Sequence, residues 1–204
     1  MRSFSCDLTQ LILYVIIVCT NSVYALASLF LPDVFKEKAI PGFWVGLVFA
    51  MYSIVVVLVS PIIGKIVGRV GFANLIAFGL VSMGVSIIPT GYLSEIENNW
   101  LTLMASILLR ALQGAASASI NTSCFSLAAN KYTDKTEFIV GMLEGMGGIG
   151  VIVGLMGGSI VYEALGRKAV FIVFGCLLLV MAVLTRICFG VLARMEERVE
   201  IERW

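Results

Sequence analysis

Apolar residues run through this chain in six long blocks, at approximately 9–31, 43–67, 72–92, 101–129, 138–162 and 169–192. Short polar stretches interrupt them: PDVFKEKAIPG, GRVG, SEIENNW, NKYTDKTE and EALGRK. A hydrocarbon core about 30 Å thick needs roughly 20 apolar residues in a helix, and each block meets that length. Backbone groups have no water to bond in lipid, so helices are the form that spanning blocks of this length take. The pattern predicts an all-α integral membrane protein. Six transmembrane helices cover residues 9–192, between a cytoplasmic N-terminus at 1–8 and a charged cytoplasmic tail at 193–204. The tail, RMEERVEIERW, mixes both signs at helical spacing and reads as an extension of the sixth helix.

Composition agrees and narrows the chemistry. The chain has 204 residues, 60% of them hydrophobic and 13% charged, with a mean hydropathy of +1.02. A soluble domain is nearer half apolar and a quarter charged. A net charge of +1 offers no electrostatic footprint for nucleic acid. There is no histidine, which excludes His-ligated metals and His general bases. The five cysteines are scattered without a CxxC pair and read as small apolar residues, so no metal and no cofactor is expected. No HExxH and no nucleophile–base pair points to an enzyme.

Lys and Arg set the orientation. Eight of them (Arg2, Lys65, Arg69, Lys131, Lys135, Arg194, Arg198 and Arg203) flank one side, and four (Lys36, Lys38, Arg167 and Lys168) flank the other. Both termini are therefore expected in the cytoplasm. The SEIENNW loop, with two acids and no base, fits the outer or lumenal side.

Glycine and buried charge supply the candidate chemistry. Between Gly141 and Gly158 there are eight glycines and one charge, Glu144. At about 100° per residue, Gly141, Gly145 and Gly148 share one face, and Gly147, Gly150, Gly154, Gly157 and Gly158 share nearly the opposite one. Small residues let helices approach closely in lipid. Two smooth faces predict a helix packed on both sides, suited either to sliding or to static bundle packing. Glu144 falls between the stripes. A carboxylate at that depth is costly and marks a cavity or a partner; it serves to bind a cation, to carry a proton, or to pair with Arg110.

Arg110 lies about ten residues into the fourth block. With Gln113, Gly114, Ser117, Asn121 and Cys124 it forms one polar stripe, which lipid would disfavour and which is expected to line the interior. Asn21, Tyr24 and Ser28 form a shorter stripe in the first block. Interhelical hydrogen bonding explains the Ser and Asn nearly as well as a substrate path does, and explains a mid-membrane Arg less well. Pro61 and Gly64 are expected to bend the second helix or mark its exit. Arg186 is expected to snorkel.

Three segments together resemble known ones. GKIVGRVG (64–71) is similar to the loop motif G-x-x-x-D-R-x-G of the major facilitator superfamily, matching at Gly64, Arg69 and Gly71. RALQGAASAS (110–119) is similar to its fourth-helix R-x-x-x-G motif, and GVIVGLMGGSIVYEALGRKAVF (150–171) to its fifth-helix glycine motif. The chain thus resembles the N-terminal six-helix half of such a transporter. Within the superfamily it resembles the vesicular amine transporter family, including the polyamine branch. That family's fifth helix reads roughly G-x-x-x-G-P-P-x-G-[SG]-x-x-Y-[EQ]-x-x-G, and Gly150, Gly154, Gly158, Ser159, Tyr162, Glu163 and Gly166 fall in register.

The resemblance implies proton-coupled antiport of a small organic cation, amine-like or polyamine, by alternating access in a vesicular or other endomembrane. Glu144, Arg110, Gln113, Asn21, Tyr24, Ser117 and Asn121 become candidates for handling substrate and proton. Gly150, Gly154, Gly157 and Gly158 become the conformational glycine motif. Three departures stand against it. The loop motif's acid is Gly68, the family's Pro-Pro is Leu155-Met156, and the first-helix aspartate used for monoamines is Thr20. A transport site lies between two such halves, so activity needs a second half or a self-copy. The alternatives are a transporter-derived scaffold in a larger membrane complex, or a truncated transporter.

Overall fold

In the computed structural model, residues 2–201 are described as to fold and residues 8–191 as to side chains. Six helices follow one another: α1 (Arg2–Glu37), α2 (Gly42–Val70), α3 (Phe72–Thr90), α4 (Asn99–Lys131), α5 (Thr136–Leu165) and α6 (Arg167–Ile201). All six are long and apolar enough to cross a membrane. They match the six apolar blocks in number and order and extend past them, because helix continues into the flanking charged residues. The side chains of the 193–204 tail lie outside the described residues.

The largest departure from the expected connections is at GKIVGRVG. Helix α2 runs through Gly64, Lys65 and Arg69 to Val70, and Gly71 alone separates it from α3. Gly71 has φ +90°, a conformation costly for any residue with a Cβ, and its N–H closes the helix on the Val67 carbonyl at 2.9 Å. The α5–α6 junction repeats this device at Gly166, with φ +82° and a 2.9 Å bond to Tyr162. The two junctions lie at opposite ends of the bundle. They relate α1–α3 to α4–α6 as an inverted repeat, a plan common in transporters.

Packing keeps part of that relation, the α1–α5 contact being matched by α4–α2. α1 lies on α5, α2 lies on α4, and α3 bridges α4 and α6. The main core joins Leu13, Ile17 and Leu26 of α1 to Leu80 and Ile87 of α3, Ile120 of α4, and Phe171 and Leu178 of α6. A second cluster at one end joins Phe35, Val48, Leu93 and Leu103. Burial is uneven. About half of the apolar stretch is buried in α1, α3 and α4, against 11% in α2 and 28% in α5. The bundle therefore presents α2 and α5 as its barest elements.

Polar contacts gather at the helix ends. Arg167 pairs with Glu37, Lys168 pairs with Glu95, and Lys38 donates to the Ile96 carbonyl, tying three connections together at one end. Asn98 caps α4, its Oδ1 accepting from the N–H groups of Trp100 (2.9 Å) and Leu101 (3.3 Å). At the other end Arg186 donates to Asn74 rather than merely extending to the interface.

Candidate functional site

Arg110 is the largest fully buried side chain among the described residues, 2% exposed. It arises from α4, where Gly114 one turn later allows close approach: a methyl there would lie 2.6 Å from the Tyr52 carbonyl of α2. That approach sets the α2 aromatics over the guanidinium. Its carbon lies 4.7 Å from the centre of the Phe49 ring and 5.8 Å from that of Tyr52, within the range of cation–π attraction. Nη1 donates to Gln113 Oε1 at 3.4 Å. Gln113 in turn donates to α3, to the Ser86 carbonyl at 3.3 Å and the Thr90 hydroxyl at 3.2 Å. Thr90 donates back to the Ser86 carbonyl. A polar chain thus runs from α4 into α3 beneath the α2 aromatics.

The first helix joins this centre through Tyr24, whose ring lies 4.9 Å from that of Tyr52. Ser117 is buried. Asn121 donates to Ser117 at 3.1 Å. Cys124 is fully buried in the main core. The fourth-helix stripe therefore faces inward as its periodicity indicates, with Asn121 at its partly exposed margin.

The α1 stripe divides. Asn21 turns toward Gly147 of α5 and donates to the Ile17 carbonyl at 2.9 Å. Tyr24 turns toward α2, and Ser28 is exposed, donating to Ala25. Asn21 and Tyr24 are thus brought to two different helices rather than to one partner.

The two glycine faces of α5 also part company. A methyl on Gly150 would lie 2.5 Å from the Val18 carbonyl, and one on Gly154 would fall on the Ser22 backbone, so both positions demand glycine for the α1–α5 contact. Ser22 locks that contact by donating to the Gly150 carbonyl at 2.8 Å. Gly158 continues it against Leu26, whereas Gly157 turns to Phe174 of α6. Around Gly141, Gly145 and Gly148 there is open space, and Glu144 beside them is exposed. The expectation of packing on both faces is corrected: within this chain one face is packed and one is bare. Glu144 sits about 12 Å along α5 at 1.5 Å per residue. It makes no ion pair with Arg110, whose side-chain contacts are Gln113, Phe49 and Tyr52.

At the α2–α3 junction, Gly64 and Arg69 are exposed on helix α2 and Gly71 forms the turn. Phe49, Tyr52, Ser86 and Thr90 did not stand out in the sequence. The available signals were an aromatic pair at i, i+3 and a hydroxyl pair at i, i+4 within apolar blocks.

Comparison with known proteins bears on this arrangement. The family profile described as Major Facilitator Superfamily matches residues 12–202. The chain is 26% identical over 159 residues to the human (Homo sapiens) MFS-type transporter SLC18B1, covering 78% of this chain and 35% of that protein. It is 32% identical over 142 residues to a probable vesicular acetylcholine transporter-B of Danio rerio, covering 69% and 27%. It is also 32% identical over 137 residues to the human synaptic vesicular amine transporter, covering 66% and 25%. The chain spans about a third or less of the length of these curated relatives.

Proposed function

The chain belongs to the major facilitator superfamily, and from that premise we propose that it forms one half of a secondary transporter for organic cations of the amine or polyamine class. Movement of such a cation is exchanged for protons by alternating access, with no covalent chemistry. The observation that carries the reading is the Arg110–Gln113–Thr90 chain, a charged and polar line buried at the centre of an apolar bundle. Intramembrane charge of this kind is costly and marks solute or proton pathways. The printed names of the relatives, an MFS-type transporter and an amine transporter, support the same class.

On this reading the solute meets Tyr24 and Asn21 of α1 and Arg110, Gln113, Ser117 and Asn121 of α4. Glu144 carries the proton or the cation. Gly150, Gly154, Gly157 and Gly158 hold α5 to its neighbours, while Gly64, Arg69 and Gly71 shape the α2–α3 turn that changes with access. The opposite wall comes from a second six-helix half, supplied by the same polypeptide, by another copy, or by a separate chain. Both termini face the cytoplasm of a vesicular or other endomembrane, in keeping with the Lys and Arg distribution.

A second reading has specific support. Gly68 in place of the loop acid and Leu155-Met156 in place of Pro-Pro suit a transporter-derived scaffold within a larger membrane complex. Uptake separates the two. The native particle, placed in vesicles with an imposed pH gradient, is expected to accumulate labelled amine or polyamine. That uptake should collapse with the gradient and should be lost in Glu144→Gln while the protein stays in the membrane. An intact particle that moves neither class would favour the scaffold.

A further inference from the structure

One charge of this half lies on the outer surface of the bundle, with apolar residues before and after it on its helix. Arg186 is exposed on α6, and no carboxylate among the described residues pairs with it. It stands about 28 Å along α6 from Arg167 at 1.5 Å per residue, close to the thickness of a hydrocarbon core, about 30 Å. Arg167 belongs to the ion-paired end of the bundle, so Arg186 stands at the opposite face of the membrane. Asn74 of α3 fixes that level from the other side. Its Oδ1 accepts from the Arg186 guanidinium, and its Nδ2 donates to the Val70 carbonyl at 2.7 Å, beside the Gly71 turn.

The pair closes one end of the seam between α3 and α6. Gly175 and Leu179 of α6 meet Gly84 of α3, and a methyl on Gly84 would lie 3.0 Å from the Gly175 carbonyl. Ala182 and Arg186 follow Gly175 and Leu179 at helical spacing on that face. Outside the seam the surface is apolar. Phe78 and Val81 continue the Asn74 face of α3, Val183 lies one turn before Arg186, and all three are exposed. A guanidinium here has hydrocarbon on one side and headgroups on the other. Asn74 accepts a hydrogen bond from it but brings no charge. A phosphodiester brings both a negative charge and oxygens matched to the guanidinium fork. Lys65 and Arg69, exposed on the last turns of α2 at the same end, add a positive field that draws anionic lipid to this side.

We propose that Arg186 and Asn74 form a headgroup site for an anionic phospholipid, with its phosphate on the guanidinium and an acyl chain along Phe78, Val81 and Val183. The occupant is a lipid rather than a free phosphate because the apolar strip begins one turn from the charge. The site lies on α3 and α6, apart from the polar centre, and does not depend on which solute is carried.

The test is thermal unfolding of the native particle in mild detergent, with phosphatidylglycerol, phosphatidylcholine or, at matched ionic strength, inorganic phosphate added. Wild type, Arg186→Gln, Arg186→Lys and Lys65→Gln are compared. Phosphatidylglycerol is expected to raise the wild-type midpoint saturably, phosphatidylcholine to raise it much less, and inorganic phosphate to leave it unchanged. Arg186→Gln should lose the preference for phosphatidylglycerol. Arg186→Lys keeps the charge but not the fork and should need about tenfold more of that lipid. Lys65→Gln weakens the field but leaves the site, and should respond nearly as wild type does. The proposal is overturned if the two lipids act alike on wild type, or if inorganic phosphate reproduces the effect. It is overturned equally if Arg186→Gln lowers the midpoint by the same amount in every lipid and keeps the preference, the mark of a mere tie between α3 and α6. Loss of the preference in Lys65→Gln as complete as in Arg186→Gln would also overturn it, in favour of diffuse attraction. Should Arg186→Gln fail to fold, Arg186→Lys decides: an unchanged lipid requirement contradicts the site.

Discussion

The two glycine faces of α5 look alike in sequence and behave differently in the fold. Gly150 and Gly154 lie so close to α1 that a single methyl would strike its backbone, and Ser22 bonds across the contact. Gly141, Gly145 and Gly148, within three turns of the same helix, face open space beside the exposed Glu144. In lipid, smoothness stabilises a helix only where another surface comes close enough for dispersion contacts. One face therefore holds the six-helix unit together. The other meets no other residue among those described.

Substitutions separate the two faces, and the largest effect is expected at the packed one. Gly154→Leu would force α1 and α5 apart. Overpacking of this kind costs about 3 kcal/mol, so a large fall in unfolding midpoint and in yield of folded protein is expected. Ser22→Ala removes the cross-helix hydrogen bond but no packing. It should cost about 1 kcal/mol, visible as a modest fall in the midpoint.

Gly145→Leu, on the bare face, should leave the midpoint of the isolated unit almost unchanged. It should weaken retention of any second half in a detergent-purified particle. Glu144→Gln should be the mildest for stability, since no partner of that carboxylate is found among the described residues; a marked loss of stability, restored by replacing Arg110 as well, would reinstate the pairing that the structure replaces with Gln113.

These differences also show how far the residues could be read before the fold was known. The six spans were legible because apolar blocks of membrane length are long and uninterrupted. The inward face of α4 was legible because Arg110, Gln113 and Ser117 recur at helical spacing where lipid would reject them. The partners of Arg110 were not: Phe49 and Tyr52 are ordinary residues in an apolar helix, and Ser86 and Thr90 bond as readily within a helix as between helices. Periodicity found two stripes on α5 but had no means of choosing which one α1 would cover. The α2–α3 turn was misjudged because Lys65 and Arg69 read as loop charges, whereas long basic side chains are well tolerated on the last turns of a helix.

The bare faces of α2 and α5 and the family membership lead to one central claim, that this chain works as one half of a two-half transporter. The most direct test is the mass and subunit composition of the native particle, isolated in mild detergent without overexpression. The account predicts a particle in which a second six-helix half is present, whether from the same polypeptide, another copy or a partner chain. A lone six-helix unit, or a large assembly of unrelated membrane subunits, would contradict it.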